Sequence, residues 1–403
     1  MRHHTFFVCL IFFIMSCQNN NNPESGTQNS SAPIDPSITT VHHLFVGTYT
    51  KKEGHVDGKA KGIYYYKANV DVGTLSNREV LEGIVNPSFI AFSPDGMRLY
   101  AVNEITAADD TTGYVMAYAI HPKTMEMTPV SKQVTNGFAP CYISVDRAGK
   151  WLFLANYVGG KVLVYALTTE GFIGGIADTQ QLEGSGPHPE QDASHPHAVV
   201  LSPDNRFLYV PDKGTDKVMI FQFDQRQGKL SPAEQPFVQV QAGAGPRHFT
   251  FHPQLPYAYV INELDATVNA FQYSAENGAL EQIQSIGTLP ENYDGFNACA
   301  DIHISPDGQF LYGSNRGHDS IVIYRINQNN GQLTLVGHEP TQGKFPRNFA
   351  LTPNGDFLFA ANQNSDNIVI FRVDKSSGLL EPTHEIVCPT PVCLKFLQRN
   401  FRK

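Results

Sequence analysis

The chain has 403 residues, a formal net charge of −9, 17% charged residues and 11% aromatic residues. Sparse charge with many aromatics suits a β-rich protein with a large core, and the acidic balance excludes a nucleic-acid surface, which needs clustered cations. The length accommodates two or three ordinary domains or one long all-β ring.

The first 17 residues read as a targeting segment. Arg2, His3 and His4 make a basic start, and residues 6–15 form an apolar run too short to span a bilayer. The run ends in Ile14-Met15-Ser16-Cys17, which resembles a bacterial lipoprotein signal with Cys17 as the lipidated residue; a plain secretory peptide is the alternative. An exported protein, lipid-anchored to the bacterial cell envelope on its periplasmic side or at the cell surface, is the expectation, with no other membrane contact. Residues 18–40 are rich in Asn, Ser and Pro and lack hydrophobic periodicity, so they read as a flexible tether. Residues 41–403 then form one domain, expected to be a monomer.

That domain is repetitive. Residues 92–100, 201–209 and 304–312 are copies of one pattern, and residues 145–153, 251–259 and 351–359 are looser ones, about fifty residues apart. Each centres on turn chemistry such as Pro94-Asp95-Gly96 or Pro203-Asp204-Asn205 between β-forming runs, so each is a hairpin. A further apolar run follows, as at residues 320–326 and 367–373, and then a turn such as Gly331-Gln332-Leu333 or Gly378-Leu379. Four strands per repeat result. A seventh copy is divided between the chain ends, residues 390–396 matching the first strand and residues 44–49 the second. A ring closed by pairing the two termini explains that division and removes exposed edges. The predicted fold is therefore all-β, a seven-bladed β-propeller. The single Trp151 excludes propellers built on repeated Trp motifs, and no dinucleotide- or phosphate-binding glycine loop is present.

Aligning the copies locates a site. At the start of the first strand the equivalent positions are Ser88, Cys141, His197, Arg247, Ala300, Arg347 and Val392, with His248, Asp301 and Asn348 next in line. At the end of the second strand they are Glu104, Tyr157, Lys213, Glu263, Arg316, Gln363 and Tyr49. In antiparallel hairpins these two sets share one end, near the ring's central channel. A purely structural repeat would keep them alike. They differ, and the third to sixth copies carry most of the charge. His197, Lys213, Arg247, His248, Arg316 and Arg347 form a cationic arc interrupted by Glu263 and Asp301, which suits a small anion bound through Arg.

The segment 186–197 is rich in His and acid, but its spacing is irregular and prolines break it, so it reads as a loop delivering His197 and not as a metal site. His303 alternates with Asp301 and either supports it or is a core histidine. Cys141, Cys299, Cys388 and Cys393 match no zinc spacing and read as buried free thiols, a Cys388–Cys393 bridge being the alternative.

On these residues the chain resembles the seven-bladed propeller lactonase family, which includes bacterial 6-phosphogluconolactonases and carboxy-muconate lactonizing enzymes. The resemblance rests on Gly243-Ala244-Gly245-Pro246-Arg247-His248, Asn262-Glu263-Leu264, residues 300–308 and Pro346-Arg347. It implies a metal-independent lactonase without a cofactor, acting on a small anionic sugar lactone or carboxylate, with His197, Arg247, Glu263 and Arg316 as the catalytic group. His248, Lys213, Asp301 and Arg347 are expected to bind substrate. Glu263 is the expected base, with His197 or His248 moving a proton. A non-catalytic binding module and a muconate-type cycloisomerase remain the alternatives. A calcium-dependent six-bladed lactonase is disfavoured, because cations stand where carboxylates would hold the metal.

Overall fold

A computed structural model describes residues 38–106 and 112–402, with backbone only at 38, 39, 401 and 402. Cys17 and nearly all of the expected tether lie outside the described residues. All regular structure among the described residues is β-strand, arranged as seven four-stranded antiparallel sheets and one small hairpin.

The turn chemistry produces the expected hairpins. In the first copy the Asp95 carboxylate accepts from Met97 N at 2.9 Å, Ser93 Oγ accepts from Arg98 N at 2.9 Å, and Gly96 takes φ +66°. Asn205 fills the same left-handed position with φ +60°, the other residue type that tolerates it. Six blades run consecutively, over residues 90–134, 138–181, 200–239, 246–287, 298–340 and 346–387. The seventh sheet joins the C-terminal strand Pro391–Arg402 to Ile38–Thr48, and then to Gly62–Asn69 and Thr74–Glu82. The divided copy thus closes the ring as predicted.

Adjacent blades are held by a recurring contact. Tyr209, Tyr259 and Tyr312, in the second strands, donate their hydroxyls to the carbonyls of Gly278, Gly331 and Gly378 in the next blade. Those glycines have φ near +70 to +80° and sit so close to an aromatic of the preceding blade that a Cβ on Gly331 would lie 2.4 Å from the Tyr257 ring. The Gly-Leu turn and the strand aromatics are therefore two halves of one inter-blade joint. Between sheets the core is apolar, as where Tyr209, Val218 and Ile220 of the third blade pack on Phe249, Val260 and Phe271 of the fourth. The four cysteines among the described residues, Cys141, Cys299, Cys388 and Cys393, are buried free thiols.

One further device positions the site. In the second, fourth and sixth blades the pairing of first and second strands slips by one residue, leaving Cys141, Arg247 and Arg347 unpaired on a bulge. The fifth blade slips between Cys299 and Ile302. The bulge falls at the same repeat position that the aligned copies singled out. A bulge frees a side chain from strict in–out alternation and re-aims it.

Candidate active site

The strand ends converge on a cavity of about 270 Å³ at one end of the ring. His197, Lys213, Glu263, Arg316 and Arg347 line it, drawn from the third to sixth blades. Tyr157, Glu190, Glu104 and His55 line it as well.

Glu263 is the hub. Its Oε1 lies 2.9 Å from Lys213 Nζ, and its Oε2 lies 2.8 Å from Arg247 Nε and 3.1 Å from Arg316 Nη2. The Arg247 contact is off the line of a hydrogen bond, so it is an ion pair. Burial pushes the Glu263 carboxyl up, but Arg316, Lys213 and Arg247 together outweigh it and hold the group well below the usual carboxylate range. Lys213 also meets Glu190 Oε2 at 2.6 Å and Tyr157 Oη at 3.2 Å. Burial opposes its charge, yet Glu263 and its other partners raise the amine above its ordinary value. Arg316 is fixed by donating to the carbonyls of Ala298 and Cys299 at 3.0 and 3.2 Å.

His197 is delivered by the loop before the third blade, as expected. That loop is fastened by Gln191, which donates to Lys213 O at 2.8 Å and Asp216 Oδ1 at 2.6 Å, and by His195 stacked on Tyr157. Its acids are committed elsewhere: Asp192 pairs with His195 at 2.9 Å and Glu190 with Lys213. No group of three or more His, Cys, Asp or Glu among the described residues has metal-binding geometry. Burial, then Arg247, lowers the His197 pKa well below that of an ordinary imidazole, so the ring is neutral. Its Nδ1 is buried without a hydrogen-bond partner.

Three expected site residues stand behind the wall instead of on it. Arg247, His248 and Asp301 do not line the cavity. Arg247 is 1% exposed, and burial with Arg316 lowers it to about 10, still charged at neutral pH. Its Nη1 reaches Ala300 O and lies 3.2 Å from His248 Nε2. His248 Nδ1 meets Asp301 Oδ1 at 2.7 Å, and Asp301 Oδ2 meets His303 Nε2 at 2.8 Å and accepts from Asn348. His303 therefore supports Asp301. Burial and Arg247 lower His248 to about 4. Arg247 holds Glu263 Oε2, His248 stands next to Arg247, and Asp301 holds His248 in turn. The expected cationic arc is also largely neutralised. Lys213, Arg316 and Arg347 on the wall are matched by Glu104, Glu190 and Glu263.

Sequence reasoning missed Glu104 and His55 as site residues. Glu104 was visible as a strand-end residue of the first copy, but apart from the charged cluster. His55 sits in a small hairpin, Lys52–Glu53 with Val56–Asp57, in the connection between second and third strands, and among the described residues no other copy has such a hairpin.

Residues 43–396 match the model of the seven-bladed β-propeller lactonase family. The 6-phosphogluconolactonase of Bacillus subtilis is 34% identical over 357 residues, covering 88% of this chain and 98% of that protein. That of Formosa agariphila is 38% identical over 313 residues, covering 76% of this chain and 86% of that one. Among solved structures, the periplasmic gluconolactonase of Pseudomonas aeruginosa superposes with a TM-score of 0.83 at 32% identity, covering 89% of this chain and 99% of that one. With its seven closed blades and this match along nearly the whole ring, the chain belongs to the seven-bladed β-propeller lactonase family.

Proposed function

We propose that the chain hydrolyses a sugar-acid lactone in this cavity. The observation that carries the proposal is the meeting, on one wall, of a neutral imidazole (His197) with guanidinium and ammonium groups held in place by the ionised Glu263. Lactone hydrolysis needs a proton acceptor for water, positive charge where the carbonyl oxygen becomes an oxyanion, and a proton for the departing ring oxygen. His197 takes the proton as water adds to the carbonyl carbon, and Arg316 and Lys213 face the oxyanion. When the bond from that carbon to the ring oxygen breaks, His197 returns its proton to the ring oxygen, leaving the hydroxy acid, which ionises to solvent.

In this reading Glu263 is not the base. Both of its oxygens are engaged, by Lys213 on one side and by Arg247 and Arg316 on the other, and its work is to hold Lys213 and Arg316 in a fixed geometry. Preorganised charge of this kind costs no reorganisation during the reaction. The donor set assigns no step to a metal. Relatives named 6-phosphogluconolactonase and gluconolactonase support lactone chemistry here.

The same proposal places residues 1–17 as a lipoprotein signal, residues 18–40 as a tether and residues 41–403 as an envelope-anchored catalytic domain. The periplasmic location of the Pseudomonas relative supports it. A pH-stat assay of the purified chain on a panel of aldonolactones, with and without EDTA, is the test. Acid release above the spontaneous rate, unaltered by EDTA, is expected; saturable anion binding without turnover would mark a binding module instead.

A further inference from the structure

In the aligned copies the residue after each strand start is apolar or aromatic in four, but His248, Asp301 and Asn348 in the fourth, fifth and sixth. The structure brings these residues together on the ring axis. Phe89 of the first copy stacks on Tyr142 of the second with ring centroids 4.0 Å apart, and both meet His248 edge-on, at 6.3 and 5.3 Å. The first and fourth blades are not neighbours, so their residues can meet only near the axis. His248, Asp301 and Asn348 are each less than a tenth exposed. A layer that only filled the channel would be served by apolar side chains, since a buried polar group must be hydrogen-bonded to avoid a cost. The three polar members instead stand in the blades that supply Arg247, Glu263, Arg316 and Arg347 to the site.

Their hydrogen bonds fix the place of one proton. Asp301 Oδ1 accepts from Ile302 N at 3.0 Å and lies 2.7 Å from His248 Nδ1. Asp301 Oδ2 accepts from Asn348 Nδ2 and lies 2.8 Å from His303 Nε2. Asn348 is itself held, its Oδ1 accepting from Leu394 N at 2.6 Å. The carboxylate is thus tied to the fourth, fifth and sixth blades and, through Asn348, to the closing strand. A carboxylate only accepts, so His248 Nδ1 carries the proton. The neutral ring then has its lone pair on Nε2, 3.2 Å from Arg247 Nη1, a group that only donates. One tautomer satisfies both neighbours. With the proton on Nε2 instead, two N–H groups would face each other and push Arg247 away from Glu263 Oε2, 2.8 Å from its Nε.

We propose that Asp301 and His248 are positioning residues for hydrolysis: Asp301 keeps the His248 proton on Nδ1, His248 Nε2 thereby holds Arg247, and Arg247 holds Glu263 where it fixes Lys213 and Arg316. This assignment rests on the lactonase reading and adds two residues that act through Arg247. Its effect falls on the chemical step. Lys213 and Arg316 face the oxyanion, which exists only after water has added, so loosening them weakens the transition state more than the bound lactone.

The test measures kcat and KM of the full chain for glucono-δ-lactone in the wild type, His248→Phe, His248→Gln, Asp301→Asn and the double variant Asp301→Asn/His248→Phe, well below their melting temperatures. His248→Phe keeps a ring against Phe89 and Tyr142 but has neither N–H nor lone pair. Its kcat should fall about tenfold or more while KM stays within about threefold of wild type. His248→Gln offers an amide N–H and a carbonyl oxygen in place of the two ring nitrogens, and should bring kcat back to within about threefold of wild type. Asp301→Asn should lose about as much as His248→Phe, and the double variant no more than either, because both cut one chain. A folded His248→Phe with wild-type kcat overturns the inference, as does a Gln variant no faster than the Phe variant, or losses that add in the double variant. The nitrogen NMR spectrum of histidine-labelled chain, with the His248 signals identified by their loss in His248→Phe, separates this claim from the hydrolytic one. A proton on Nδ1 supports the hold on Arg247 even if no lactone is turned over, a result that would refute only the hydrolase; a proton on Nε2 removes the inference whatever the turnover.

Discussion

Replacing Glu263 by Gln probes the hub with little change of shape. The carboxylate contacts Lys213, Arg247 and Arg316 within 3.1 Å, and all four residues are less than a tenth exposed. Glu190 still serves Lys213 after the change, but neither Arg247 nor Arg316 makes another ion pair. Leaving buried charge unmatched costs about 3–5 kcal/mol. Unfolding entropy of about 2.1 cal/mol/K per residue gives roughly 0.76 kcal/mol/K for the unit Thr40–Phe401, so the variant should melt about 4–7 °C lower. Calorimetry reads that shift, and pH-stat rates should fall about 100-fold or more as the cations lose their fixed geometry. A variant that melts within 1 °C of wild type and retains its rate would refute the hub.

Acid sensitivity follows from the buried histidines. His248 titrates at about 4 when folded against 6.5 when unfolded, so the unfolded chain binds the proton more readily between those values. Stability should therefore be intact above pH 6.5 and decline as pH falls toward 4, by about 3 kcal/mol from this residue alone. His197 acts in the same sense. Urea midpoints at pH 7 and pH 4.5 measure the decline, and His248→Gln should flatten it. Gly331→Ala should cost about 1–3 kcal/mol, because it combines φ +70° with a Cβ 2.4 Å from the Tyr257 ring; denaturant melts check it, and an unchanged midpoint would undo the inter-blade joint. Labelling with a lipid precursor should mark the wild type and leave Cys17→Ser unlabelled in the soluble fraction. Label retained by Cys17→Ser would remove that cysteine as the anchor.

Blade number, strand count and ring closure were legible because the copies of the turn and its flanking apolar runs repeat within the chain. The end of the ring that carries the site was legible because positions that a repeat should keep alike are instead Cys141, His197, Arg247 and Arg347. What alignment could not show is depth. A bulge interrupts the alternation that normally tells inward from outward, so Arg247 and Arg347 occupy equivalent positions, yet one lies beneath the cavity and the other on its wall. His55 was illegible for a different reason, since its connection is longer than those of the second to sixth copies and aligns with none of them. The charge balance was misjudged because Glu104 lies far from Arg347 in sequence and meets it only once the ring closes, and because Glu190 lies in an irregular loop whose path over Lys213 the repeat does not dictate.

The most direct test of the account is the rate of acid release from glucono-δ-lactone, measured by pH-stat for the wild-type chain and for His197→Asn. Catalysis well above the buffer rate, lost about 100-fold or more in the variant while its melting temperature stays close to wild type, is the predicted result. A wild-type rate equal to buffer, or a variant as fast as wild type, would contradict it.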